Sequence, residues 1–171
     1  MIKTIEFNEK KYPAFQAEGN AAQYIMPFAD KFCKGNGYDI GCNNYEWMMQ
    51  SNDDRIVVPI DPNINEYSAM HLPIANCGSV DFIFSSHCLE HVETPWFSVL
   101  EYWKSNLKYE GVMFLYLPDY SQEYWRPWNN HKHVHVFTPE LLYDAFVALG
   151  MKNVFVSGVD MLNSFAIVGE K

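Results

Sequence analysis

Apolar positions along this chain fall into blocks of two alternating periods. Residues 20–33, NAAQYIMPFADKFC, carry helical spacing, so Ala21, Tyr24, Ile25, Phe28 and Phe32 share one face. Short apolar runs follow at 37–41, at RIVVPI (55–60) and at VDFIFS (80–85), each of strand length. PWFSVLEYWKSNL (95–107) returns to helical spacing, with Pro95 in the first turn, where a missing N–H costs nothing. The tetrapeptide Lys108-Tyr109-Glu110-Gly111 closes that helix, and VMFLYL (112–117) is the next strand. A further helix runs to Ala148, with Thr138 as N-cap, Pro139 as its first residue and Gly150 as its stop. The tail, NVFVSGVDMLNSFAIVGE, reads as two strands joined by a turn.

Strands alternating with helices up to about residue 149 predict a parallel sheet with helices on its faces. The last two strands are joined too tightly for a right-handed parallel crossover, so one of them runs antiparallel. The expected fold is α/β: a Rossmann-like, doubly wound mixed sheet, mostly parallel, with an antiparallel strand from the C-terminal hairpin. A dinucleotide-binding dehydrogenase would continue with parallel units instead. No repeat, low-complexity tract or linker divides the chain, which reads as one domain over 1–171. Within it, 1–36 is expected to form an N-terminal helical cap and 37–171 the core.

Composition narrows the function. Hydrophobic residues make up 49% of 171, so a real core is expected rather than disorder. A net charge of −9 argues against a broad footprint for bulk nucleic acid, while leaving room for one nucleotide in a local pocket. MIKTIEFNEKKYP lacks the apolar stretch of a signal peptide, and no run is long enough to span a membrane. Cys33, Cys42, Cys77 and Cys88 show neither a CxxC pair nor metal-ligand spacing, so reduced thiols in a cytoplasm are expected.

Five segments in order carry a family likeness. YDIGC (38–42) is similar to the first cofactor motif LDIGCGxG of class I S-adenosylmethionine-dependent methyltransferases. IDPN (60–63) resembles the acidic end of their second strand, and SAMHLP (68–73) their DAxxLPF loop. VDFIFSSHCLEHV followed by LKYEGVMFLYLPD resembles the fourth motif and the LKPGGxLxxxxPD segment. HVHVFTPELLYDAFVALGM resembles the late HxxFTPexLxxLlexaGF segment. The resemblance implies a small, trimmed methyltransferase with S-adenosylmethionine as cofactor and a seven-stranded sheet whose last strand is antiparallel. This chain departs from the pattern where Asn43 and Tyr45 replace motif glycines and Ser68 replaces an aspartate. About a dozen residues separate Asp61 from Pro73, too few for the usual helix and strand.

Chemistry at the strand ends agrees with that cofactor. Ligands of open α/β sheets sit beyond the carboxyl ends of the strands, where Gly41, Asp61, Ser85 and Ser86 fall. Gly41 permits positive φ, and Asn43 tolerates it at modest cost. A pyrophosphate would need the full glycine-rich turn, so this loop disfavours NAD. Asp61 can accept both ribose hydroxyls, or else caps the turn before Pro62. Asp39 faces the ammonium of the methionine moiety or organises the turn. Ala69, Met70, His71 and Leu72 border the adenine or form a packed surface loop. Cys42 is read as a small apolar neighbour of the cofactor, and Asn20 and Tyr24 as covering contacts.

For the transfer itself, a hydroxyl acceptor needs a base of near-neutral pKa, which points to histidine. His87 and His91 lie four apart beside Glu90, and His133 is the third candidate. Zinc is not expected: HxxEH offers no evident third ligand, and along an extended chain His131, His133 and His135 spread over ~13 Å. PDYSQEYWRPWNNH (118–131) supplies Tyr120, Tyr124, Trp125, Arg126 and Trp128, suited either to a small planar or sugar-like acceptor or to a lid or homodimer surface. Against the enzyme stands one alternative, a non-catalytic binding protein for S-adenosylmethionine or its demethylated product on the same fold.

Overall fold

The computed structural model describes residues 3–14, 21–73 and 78–171. Its elements in chain order are β1 (Thr4–Phe7), β2 (Lys10–Pro13), α1 (Ala22–Ala29), β3 (Gly35–Ile40), β4 (Arg55–Ile60), β5 (Val80–Ser86), α2 (Trp96–Asn106), β6 (Leu107–Pro118), α3 (Pro139–Ala148), β7 (Lys152–Val156) and β8 (Ser164–Glu170). The central sheet has the order β4-β3-β5-β6-β8-β7. β3 pairs in parallel with β4 and β5, and β5 with β6. β8 runs antiparallel to both β6 and β7, as the short C-terminal connection requires.

Strong alternation along the strands builds two cores. Ile83, Met113, Leu115, Leu117, Phe165 and Ile167 face α2 and α3, where they meet Val99, Leu100, Trp103, Leu142 and Phe146. Their sequence neighbours Phe82, Phe84, Phe114, Tyr116, Ala166 and Val168 face α1, packing with Ala29, Ile25 and Phe28. β5, the VMFLYL part of β6 and β8 thus read as near-unbroken apolar runs because both of their faces are covered. The caps work as the sequence indicates: Thr138 accepts the Leu141 N–H, and Gly150 closes α3 at φ 71°.

Three features differ from the expectation. KYEG is no turn but part of a twelve-residue β6, whose register against β5 slips between Val80 and Phe82. Glu110, at φ 62°, absorbs the extra residues as a bulge. The segment read as a helical cap begins with the hairpin β1-β2, and among its described residues only Ala22–Ala29 is helical. The sheet has six strands rather than the seven the resemblance implies: among the described residues between β4 and β5 the only pairing is an isolated Ser68–His71 bridge. β4 therefore forms the sheet edge, where Ile56 and Val58 lie exposed and Pro59, which has no N–H to offer, is tolerated.

Candidate functional site

The carboxyl ends of β3, β4 and β5 lie side by side and carry the loops that follow them. Gly41 takes φ 81°, and a Cβ there would stand 2.5 Å from Cys88 Sγ. Glycine is needed for both reasons, and the close approach is made by the chain's own Cys88. Asn43 follows in the left-handed region at φ 64°, so the second glycine is replaced by the side chain that best tolerates that conformation. Beyond it a turn over 44–47, not a helix, is held by Asn44 Oδ1, which accepts the N–H groups of Glu46 and Trp47. Tyr45 keeps an ordinary backbone and is exposed.

Asp61 ties this loop to the end of β4. One of its carboxylate oxygens accepts Asn43 N–H and the other Asn63 N–H, at 2.8 and 2.9 Å. Asn63 Nδ2 in turn donates to Asn43 Oδ1. Asp39 is buried, and its Oδ2 accepts Met49 N–H at 2.6 Å, the geometry of the turn-organising alternative. Burial pushes its carboxyl up to about 7, a shift that Asp61 reinforces and the Met49 amide opposes. The same burial pushes the Cys42 thiol up to about 12, which removes it as a nucleophile at neutral pH.

A folded carboxyl with a raised pKa binds a proton that the unfolded chain releases. Asp39 therefore makes stability fall as pH rises from about 4 to about 7. Asp39→Asn keeps an acceptor for Met49 and should remove this share of the slope, gaining ~2–4 kcal/mol over the parent at pH 8 but little at pH 4. Urea denaturation at the two pH values checks this, and an equal difference at both would refute it.

The remaining cofactor candidates are distributed around these loops. Ser85 Oγ donates to Ile40 O and clamps β5 to β3, a structural task. Ser86 Oγ is buried without a hydrogen-bond partner among the described residues. The turn carrying Ala69, Met70, His71 and Leu72 is pinned to α2: Trp103 Nε1 donates to Ala69 O, and Leu72 N–H donates to the Tyr102 hydroxyl. Met70 and His71 are exposed there and Leu72 is buried. Tyr24 lies half-exposed on α1, and Asn20 falls outside the described residues, as does Cys77.

The histidines gather beyond β5 and β6. His87, at φ 49°, is wedged against the Tyr116 ring, with Nε2 3.2 Å from Ser164 Oγ. Burial first, then the neighbouring His133 and His91, push its pKa down to about 3. His133 is stacked on Trp125 and pushed down to about 3 by burial, His91 and Lys132. Both are thus weak bases at neutral pH. His91 is exposed, and its Nδ1 lies 2.6 Å from Lys132 O. A carbonyl only accepts, so Nδ1 carries the proton and Nε2 keeps its lone pair. Glu90 is fully buried between them, pushed up to about 7 by that burial against the opposing effect of His91. His135 Nε2 donates to Val92 O, which makes it a structural tie, and His131 is exposed.

A narrow cleft adjoins this cluster, lined by Asp119, Tyr120, Gln122, Trp125, Arg126 and His133 among others. The aromatic segment is divided by its packing. Arg126 lies over Tyr120 at 4.1 Å and beside Trp128, whereas Tyr124 turns away to pack on Phe7 and Tyr12 of the β1-β2 hairpin. Two further participants are Asn63 and Glu90: the Asp-Pro-Asn turn is a local signal for the Asp61–Asn63 bond, whereas nothing local signals the burial of Glu90.

Strand order, the antiparallel closure and a glycine turn tied to an acidic strand end define a class I methyltransferase fold. The chain belongs to the family described as Methyltransferase domain, which it matches over residues 17–156, and S-adenosylmethionine is its cofactor. Solved structures share the fold at low identity. One is a SAM-dependent methyltransferase from Archaeoglobus fulgidus (TM-score 0.63, 16% identity, 88% of this chain and 92% of that one). A second, from Thermotoga maritima, is described as a possible histamine N-methyltransferase (TM-score 0.65, 14% identity, 92% and 93%). A third is the 1,6-didemethyltoxoflavin-N1-methyltransferase of Burkholderia thailandensis, solved with 1,6-didemethyltoxoflavin and S-adenosylhomocysteine (TM-score 0.62, 12% identity, 91% and 80%). No curated protein matches the sequence.

Two observations on this chain fit the cofactor. Each Asp61 oxygen accepts one amide and keeps a second lone pair for a ribose hydroxyl. Ser86 Oγ, at the end of β5, is a buried polar atom in want of a partner, which a polar ligand at the strand ends would supply.

Proposed function

We propose that this protein methylates a small, hydroxylated or planar acceptor held beside the histidine cluster. The observation that carries this reading is the small cleft beyond β6, walled by aromatic rings, Arg126, Asp119 and His133. The acidic chain gives a polyanion little attraction, which favours a small acceptor over a polymer. The cofactor supplies an electrophilic methyl on a sulfonium, so the protein's work is alignment and, for a hydroxyl acceptor, removal of a proton.

Asp61 takes the ribose hydroxyls, and Gly41, Cys42 and Asn43 present backbone to the amino-acid end of the cofactor. Asp39 acts indirectly by holding the loop through Met49. Met70, His71 and Leu72 border the adenine on a turn fixed by Tyr102 and Trp103. Ser86 offers its hydroxyl to the cofactor, while Ser85 keeps β3 and β5 in register. Tyr24, on α1, is read as a covering contact of the cofactor. A hydroxyl acceptor's proton falls to His91 beside Glu90, with the weaker bases His87 and His133 packed around it.

The rival reading, a binding protein without turnover, draws on the engagement of both Asp61 oxygens by the chain's own amides. Calorimetry and an acceptor screen separate the two. S-adenosylhomocysteine should bind below about 1 mM, and labelled methyl groups should pass to a hydroxylated aromatic or sugar-like acceptor. No heat of binding at that concentration would sink both readings; binding with no transfer to any acceptor would favour the rival.

A further inference from the structure

We infer that Glu90, His91 and His133 form a binding site for one divalent transition-metal ion. The three residues offer ligand atoms that all lie within 4.8 Å of one another. Glu90 Oε1 is 3.8 Å from His91 Nε2, and the two imidazole rings meet edge to face with centroids 4.6 Å apart. Ligands bound at ~2.0–2.2 Å to one ion stand roughly 3–3.5 Å apart, so the cluster needs to contract by about 1 Å to close on a metal. The sequence showed two of these ligands and no third, because His133 reaches them only through the fold.

Two further observations point to a cation. Glu90 is 0% exposed, yet neither of its carboxylate oxygens has a hydrogen-bond partner among the described residues. His87 Nδ1 comes closest, at 3.5 Å, without bonding. A buried carboxyl left in this way is costly, and a bound cation removes the cost. The second observation is the His91 ring: Nδ1–H is committed to Lys132 O, which turns the Nε2 lone pair toward Glu90. Metal-binding histidines are fixed in this manner, with the outer N–H donated to a backbone carbonyl. Two imidazoles and one carboxylate suit zinc, cobalt, manganese or iron(II) better than magnesium or calcium, and three protein ligands leave positions open. Resting on the reading of the cleft given above, the open positions face the acceptor, whose hydroxyl oxygen the ion would hold and acidify.

The ion itself is tested without any methyl transfer. Cobalt(II) added to the full-length protein after chelator treatment should bind one per chain, with visible absorption typical of nitrogen and oxygen ligands. Glu90→Gln, which keeps the shape, and His133→Ala should each weaken binding by ~100-fold or more. His131→Ala, an exposed histidine outside the cluster, should bind as the parent does. Absence of saturable one-to-one binding to the parent would overturn the site, as would a thiolate-to-cobalt band or equal affinity in Glu90→Gln and the parent. Binding that persists while no acceptor is methylated would leave the metal site standing and count against the acceptor reading alone.

Discussion

Replacing Asp61 by alanine should lower the affinity for S-adenosylhomocysteine by ~100-fold or more. Hydrogen bonds to a charged acceptor contribute about 1.5–3 kcal/mol each, and a ribose would make two. Their sum, about 3–6 kcal/mol, exceeds the roughly 2.7 kcal/mol that a hundredfold change requires. The substitution also frees the N–H groups of Asn43 and Asn63, which both rest on this carboxylate. A fold cost of ~1–3 kcal/mol accompanies the loss of binding. Asn63→Ala separates the contributions, because it removes the support given to Asn43 while leaving the carboxylate in place. Titration calorimetry on Asp61→Ala, Asn63→Ala and the parent, with thermal melts of each, decides the matter. If Asp61→Ala binds the ligand as tightly as the parent, the ribose role is wrong and Asp61 is only a turn residue.

Gly41→Ala should destabilise the fold by about 2–5 kcal/mol and abolish cofactor binding with it. An L-residue at positive φ costs about 1–2 kcal/mol, and overpacking a closed site adds about 1–3. Both apply at Gly41, where φ is 81° and the new methyl would collide with the Cys88 side chain. Gly150→Ala provides the comparison: φ is 71°, but the methyl would find only Lys104 Nζ at 3.7 Å. Only the backbone cost should appear there, about 1–2 kcal/mol. Urea titrations of both variants measure the difference. The double variant Gly41→Ala, Cys88→Gly, which removes both the Cβ at 2.4 Å and the Sγ at 2.5 Å, should recover part of the loss by clearing the collision, and no recovery would show that backbone conformation alone is responsible.

Much of the fold is legible because the strands announce themselves by runs of β-branched and aromatic residues and the helices by their caps. Thr138, Pro139 and Gly150 bracket α3 by chemistry that acts within a few residues. The left-handed Asn43 was likewise readable from the amide's tolerance of that conformation. Long-range competition hides the rest. KYEG has the composition of a turn, but pairing with β5 at Leu107 and again from Val112 onward carries it inside β6 as an unpaired bulge, and Glu110 takes the strain. The β1-β2 hairpin has no turn signal beyond Asn8, and Tyr124 packs against it from far along the chain. In the site, Gly41 and Asp61 follow from the motif and its spacing. The convergence of His133 on Glu90 does not, because it depends on where the segment after β6 crosses the end of β5.

That crossing is made by the backbone as well as by the histidines. Glu90 O accepts the amides of both Val134 and His135, and His135 Nε2 returns a bond to Val92 O. The two segments therefore open and close as a single cooperative unit rather than as a loop swinging free. In hydrogen-exchange measurements, the amides of Val134 and His135 should exchange far more slowly than those of an ordinary surface segment. On the proposed function, molecules reaching the cleft would meet a wall already assembled, and selection among them would rest on fit to a fixed shape.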